Sequence, residues 1–185
     1  MKILLHTCCA PCLLFPYSVL KSKKFEVTVY FYNPNIHPFK EFKRRRETLS
    51  KYCDTVSLDL ILDDGGYGLI DFCRKVAFQE EKRCSICYDM RLQKLVATAK
   101  NEGFDAFSTT LLYSKYQKHE LLRNKCNELA QYHGIPFVYH DFREGWQQGI
   151  DQSIELNLYR QPYCGCIFSE WERYDNRLKK KLKKP

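Results

Sequence analysis

Seven cysteines of this chain fall into three tight groups: Cys8, Cys9 and Cys12; Cys84 and Cys87; Cys164 and Cys166. A thiolate is a soft ligand and a redox-active one, so grouped cysteines suit metal or redox chemistry. Cys9 to Cys12 and Cys84 to Cys87 both read C-x2-C, a spacing that lets two sulfurs converge on one metal centre. Twin pairs of this kind suit a structural zinc or an iron–sulfur cluster. Zinc explains less. Its ribbon sites keep the pairs about 15–20 residues apart, whereas these pairs are separated by a whole layer of fold. Tetrahedral zinc also takes only four ligands. An iron–sulfur cluster, with the spare thiols serving a second metal, uses all seven. The stretch CAPC resembles a dithiol redox pair at a helix start, but that reading leaves Cys8, Cys84, Cys87, Cys164 and Cys166 without a role.

The other three cysteines read differently. Cys73 shares a helical spacing with Leu69, Ile70, Val76 and Ala77, and Cys126 with Leu122 and Leu129. Cys53, Cys73 and Cys126 are therefore expected to be small core residues. Among oxygen and nitrogen ligands, Asp141 in HDFREG is a candidate, because a carboxylate beside thiolates suits a redox-active iron. Its alternative role is the N-cap of the following helix. His6, His37 and His140 lie in or near strand ends and are expected to be satisfied loop or strand histidines.

These groups must be positioned by an alternation of strands and helices. KILLHT is a continuous apolar run, as expected of a buried parallel strand. LLFPYSVLKS reads as a helix and EVTVYFYN as a second strand, which NPNIHP ends. FKEFKRRRETLSKYC is an amphipathic helix and TVSLDLILDD a third strand. LIDFCRKVAF and CSICYDMRLQKLVATAKNEG are helices, the second stopped by Gly103. FDAFSTTLL is a fourth strand, HELLRNKCNELAQYHG a helix, and IPFVYHDF a fifth strand. The rest is helical, interrupted by RQPYCGC. This rhythm predicts a single α/β domain over 1–172 with a mainly parallel, Rossmann-like sheet, followed by a basic tail over 173–185. Working sites in such sheets lie beyond the carboxyl ends of the strands. The first cysteines, NPNIHP, STTLLYS and DFREG are expected to converge there.

Charge is uneven. The formal net charge is +8, and Arg173 to Pro185 contribute seven basic residues against one acidic residue. A second basic cluster is KEFKRRR, Lys40 to Arg46. Both could meet phosphates. No run of about 18 apolar residues predicts a membrane span. The start MKILLHTCCAPCLLFP is interrupted by His6 and Pro11, lacks a clean small-x-small site, and would lose its cysteines on cleavage. The N-terminus is expected to be mature and the protein cytoplasmic.

HTCCAPC, YNPNIHP, KRCSICYDMRL, FDAFSTTLLYSKYQ and above all SIELNLYRQPYCGCIFS resemble the cobalamin-independent QueH family of epoxyqueuosine reductases. The resemblance runs in order from Leu5 to Ser169. It implies an oxidoreductase in queuosine biosynthesis that removes the epoxide oxygen of epoxyqueuosine at the wobble position of a tRNA anticodon. It also implies a 4Fe-4S cluster, a nearby mononuclear iron, and an α/β fold related to the nucleotide-hydrolase and PP-loop group. HTCCAPC stands where a PP-loop enzyme carries its phosphate loop, so no ATP binding is expected. Epoxide deoxygenation needs two electrons and acid assistance at oxygen, which a cluster and a ligand-poor iron can supply.

On this reading Cys9, Cys12, Cys84 and Cys87 are the expected cluster ligands, with Cys8 or Cys166 as possible substitutes. Cys8, Cys164, Cys166 and Asp141 are expected at the second metal, and Cys8 and Asp141 at the reacting oxygen. Adjacent side chains in an extended segment point opposite ways, so Cys8 and Cys9 are expected to serve different centres. Gly165 would let Cys164 and Cys166 face one ion. Either could instead complete the cluster while the other packs. Asn33, Asn35, His37, Tyr113, Arg160, Gln161 and Tyr163 are the candidate substrate-binding residues. Tyr32, Tyr116 and Tyr159 lie in or beside the same loops, and base stacking on such rings contributes roughly 1–3 kcal/mol per base. The partners implied are the modified tRNA and an unidentified electron donor. Two rivals share parts of the pattern. A radical or sulfur-transfer enzyme on tRNA would share the cluster and the basic surface, but the usual C-x3-C-x2-C radical pattern is absent. A non-enzymatic zinc module that grips RNA would be colourless.

Overall fold

The computed structural model describes residues 1–63 and 65–182, the side chains of 176–182 excepted. Side chains of the basic tail beyond Asp175 lie outside the described residues.

Four parallel strands form one sheet: β1 (Lys2–His6), β2 (Glu26–Phe31), β3 (Leu60–Leu62) and β4 (Ala106–Thr109), in the order β3-β2-β1-β4. Leu4 of β1 pairs with Thr28 on one side and Phe107 on the other. Ile3, Leu4, Leu5 and His6 are fully buried, as a continuous apolar run in a central parallel strand should be. Among the described residues seven helices accompany the sheet: α1 (Ala10–Ser22), α2 (Phe39–Thr55), α3 (Leu69–Val76), α4 (Arg83–Asn101), α5 (His119–His133), α6 (Trp146–Glu155) and α7 (Ile167–Leu182). Short 3-10 turns precede α4 and α6 and follow β4. The last helix runs through residue 173 without a break. Among the described residues no helix is long and apolar enough to cross a membrane.

The α/β class and the parallel sheet agree with the sequence reading. The fifth strand does not form. IPFVYHDF reaches the sheet only as an isolated parallel bridge between Phe107 and Phe137. Pro136 brings a carbonyl but no amide to the edge of β4, and the Ser108 hydroxyl takes the Val138 carbonyl. The ladder is therefore not extended. Cys73 also departs from expectation. Cys53 and Cys126 are buried, but Cys73 is exposed, because α3 buries Phe72 and Val76 instead.

Chain order locates the site. From β1 the chain adds β2 and β3 on one side, then returns to add β4 on the other. The order reverses between β1 and β4, so the crevice lies above their carboxyl ends. The first cysteine group follows β1 at that point.

Candidate metal and substrate site

β1 ends at His6, and Thr7 still donates its amide to Tyr30 O at 2.9 Å. The chain then bends at Cys8, and Cys9 sits extended at the N-cap of α1. Pro11 in the first turn lacks only an amide that the helix would leave unpaired. Cys12 follows on the helix. This turn gathers what an extended strand would have separated: the sulfurs of Cys8, Cys9 and Cys12 all lie within 4.8 Å of one another. Cys8 Sγ is 3.7 Å from Cys9 Sγ, so these two side chains do not point apart as the extended reading expected. All three are buried. Hydrogen bonds from the Cys12 and Cys9 thiols, helped by the charges of Arg91 and Arg45, hold Cys8 well below the usual thiol range. Hydrogen bonding to Cys8 raises Cys12, and burial raises Cys9. The three thiols thus form one hydrogen-bonded group in which Cys8 is the most acidic member.

The second group opens α4. Cys84 and Cys87, three residues apart, share a helix face. Cys87 Sγ accepts a hydrogen bond from Asn35 Nδ2 at 2.8 Å, and Asn35 Oδ1 accepts one from Arg91 Nε at 2.6 Å. Asn35 therefore ties the NPNIHP loop to α4. Burial pushes the Cys87 thiol up to about 11 and raises Cys84 as well.

The third group is held by backbone atoms. Arg45 of α2 donates to Cys164 O at 3.1 Å and to Tyr163 O at 3.0 Å, and His37 N donates to Gly165 O at 2.8 Å. The Tyr163 hydroxyl returns a hydrogen bond to His37 O. A hydrogen bond from Cys166 lowers Cys164 to about 5, and the same contact raises Cys166. Gly165 has φ +137°, a region essentially closed to other residues. Gly165→Ala also places a Cβ 3.1 Å from Ile36 Cγ1 and 3.2 Å from Arg45 Nη1. It is expected to cost about 1–3 kcal/mol and to lower metal retention; unchanged melting and metal content would refute this account of the turn.

A cavity of about 640 Å³ joins the groups, lined by Cys12, Cys84, Cys164 and Cys166 together with Tyr113, Arg160, Gln161 and Tyr163. Gln161 Nε2 donates to Cys12 Sγ at 3.3 Å. Asn33, Asn35 and His37 do not line this cavity. They are buried in the surrounding protein, where Asn33 holds Thr7 O at 3.0 Å and His37 packs against Phe72 and Tyr67. Burial lowers His37 to about 4, so its ring is neutral near pH 7. Asp141 is placed elsewhere. It caps the 3-10 turn Phe142–Gly145, and both its oxygens bond Arg143, which holds its carboxyl at about 2.

Sequence reasoning missed two residues here, Arg45 and Arg91. Both side chains are buried. Arg45 pairs with Glu41 at 2.7 Å, whereas Arg91 has no carboxylate partner among the described residues. Each carried a signal. Arg91 follows Cys87 by four residues on one helix face. Arg45 stands on the buried stripe Phe42, Leu49 and Cys53 of α2, so the KEFKRRR cluster is not wholly a surface patch.

The donor set is soft sulfur, gathered and buried at Cys8, Cys9 and Cys12, half-buried at Cys84 and Cys87 and exposed at Cys164, which suits iron–sulfur chemistry or another thiolate-binding metal. Asn33 Oδ1, both ring nitrogens of His37 and Gln161 Oε1 find no hydrogen-bond partner among the described residues. Buried polar atoms are normally bonded, and this concentration fits a site built around a polar or metal-bearing group.

Comparison with known proteins shows the family of the chain and its fold. A family model described as "Epoxyqueuosine reductase QueH" matches residues 3–172. A Dehalococcoides mccartyi protein of that name is 38% identical over 173 residues, covering 94% of each chain. Its Thermotoga maritima namesake is 34% identical, covering 92% of this chain and 91% of its own. Two solved structures share the fold. One is a predicted subunit of tRNA methyltransferase from Methanocaldococcus jannaschii, with TM-score 0.56 and 12% identity over 84% of this chain and 75% of that one. The other is the U34-tRNA thiolase NcsA from Methanococcus maripaludis with its [4Fe-4S] cluster, with TM-score 0.52 and 14% identity over 98% of this chain and 67% of that one.

Proposed function

The chain belongs to the epoxyqueuosine reductase QueH family, and we propose from that membership that it reduces epoxyqueuosine to queuosine in tRNA. The observation that carries this reading is the match over nearly the whole chain, including all three cysteine groups and the cavity they line. The reaction takes two electrons and two protons, breaks both carbon–oxygen bonds of the epoxide, forms an alkene and releases water.

Cys9, Cys12, Cys84 and Cys87 would hold a 4Fe-4S cluster, and Cys8, Cys164 and Cys166 a second iron beside it. Asp141 joins that second set only by releasing Arg143. When bound, such a cluster passes electrons one at a time. The chain's own residues do the rest. Arg45 and Arg91 place two buried guanidiniums near the thiolates. Tyr113, Arg160, Gln161 and Tyr163 line the space for the modified nucleoside. Asn33, Asn35 and His37 hold the loops that carry the sulfurs. A cytoplasmic setting keeps these thiols reduced. The electron donor is a separate reductant.

The test is direct. Protein loaded with iron and sulfide without oxygen is mixed with a one-electron reductant and epoxyqueuosine tRNA, and the nucleosides are separated by mass. Conversion to queuosine, with loss of one oxygen, is expected. No conversion by iron-replete, reduced protein would overturn the assignment.

A further inference from the structure

A larger cavity, about 810 Å³, lies outside the cysteine site. One wall is a single face of α2, with Arg44, Thr48, Lys51 and Thr55; the other is the segment 156–160. Arg160 lines both cavities, so the two are neighbours at that residue.

Three features define what this cleft can hold. First, its cations are free. Arg44, Lys51 and Arg160 have no carboxylate partner among the described residues. The single acid lining it, Glu47, lies 3.6 Å from Lys43. Second, Arg44 is stacked. Its Cζ is 3.7 Å from the centroid of the Tyr159 ring. A guanidinium lying on a ring keeps its N–H edges available in plane, the geometry that grips a phosphate. Third, the wall is long enough. Arg44 and Lys51 are separated by about 10 Å of helix, room for two or more consecutive phosphates. Tyr52, Leu156 and Leu158 add apolar surface for a ribose or base.

We propose that this cleft is an RNA-strand subsite that holds the nucleotides next to the one entering the cysteine cavity. Arg44 and Lys51 meet phosphates there, and Arg160 spans the junction. The inference rests on the tRNA reading above. The floor of the cleft is tied to the cysteine loop. The Tyr159 hydroxyl bonds Glu41, Glu41 pairs with Arg45, and Arg45 holds the carbonyls of Tyr163 and Cys164. RNA seated on Tyr159 is therefore registered against the sulfurs. A protein surface fits less well, because the cleft is concave and shares Arg160 with the substrate cavity.

The test compares wild type with the double variant Arg44→Gln and Lys51→Gln, using an anticodon stem-loop RNA at several salt concentrations. The variant is expected to bind about tenfold more weakly near 0.1 M salt. Its plot of log affinity against log salt is expected to be shallower by about 1.4, for two lost phosphate contacts on a single strand. The rate loss is recovered at saturating RNA, and iron per chain is unchanged. Unchanged affinity and slope would overturn the proposal. So would unchanged RNA binding with slower reduction by a protein donor, which would make the cleft a redox-partner dock. If the slope changes as expected but epoxyqueuosine is never reduced, the subsite stands and the proposed function fails. Absence of RNA binding by wild type would overturn both.

Discussion

Cys9→Ala and Cys87→Ala, prepared without oxygen, are each expected to lose most of the iron and the visible absorbance, with turnover falling more than about 100-fold. Changes merely beside a metal ligand cost about 10–100-fold in affinity or activity, and losing a ligand costs more. The two residues come from different elements, the N-cap of α1 and the second turn of α4. Equal losses from both would show that one centre bridges these helices. Cys8→Ala is the discriminating control. Its sulfur lies only 3.7 Å from Cys9, so two centres served by this pair would sit side by side. The expected result is a surviving cluster spectrum, one iron fewer and no turnover. Full iron content in Cys87→Ala would remove that residue from the ligand set, and persistent turnover in Cys8→Ala would separate the second metal from the chemistry.

Arg91→Met is expected to raise the Cys8 thiol and to weaken metal retention. Arg91 is 2% exposed, and its side chain meets the Asn35 carboxamide at 2.6 Å rather than a carboxylate. Its charge helps to hold the Cys8 thiol low and acts the same way on Cys164. Removing one member of a buried pair of charges leaves the other uncompensated. The metal-free variant is therefore expected to keep Cys8 protonated to higher pH, and the loaded variant to release metal sooner. Metal retention against a chelator should fall at least about tenfold. Thiol alkylation against pH in the metal-free protein, plus the rate of iron loss from the loaded protein, decide it. An unchanged alkylation profile and unchanged retention would mean that Arg91 is a packing residue whose charge plays no part.

Much of this could be read from residue order alone. β1 was legible because its apolar run is unbroken, and α5 because Gly134 stops it, with φ +67° and its amide on Ala130 O. The three cysteine groups were legible as local spacings. What joins them was not. Asn35 meets Cys87, Arg45 meets the Cys164 carbonyl, and Gln161 meets Cys12, all across long stretches of chain that no local pattern encodes. The fifth strand failed for a related reason. Its β-branched and aromatic residues have the right propensity, but pairing depends on an amide that Pro136 lacks. Cys8 shows the limit of period-two reasoning, which holds only while the chain stays straight.

The Cys164–Cys166 turn is fastened almost wholly through main-chain carbonyls, by Arg45 and by the His37 amide. Such a clamp is blind to most side chains. It demands a glycine at 165 and a correctly placed backbone, and of its neighbours' side chains it uses the Tyr159 and Tyr163 hydroxyls and the Gln161 amide. The segment thus behaves as an interchangeable cartridge. Residues 156–169 from a relative sharing a third of the sequence should seat in this chain if Arg45 and Glu41 are kept. The cavity wall, and with it the fit to the nucleoside, could then be exchanged without rebuilding the sheet beneath.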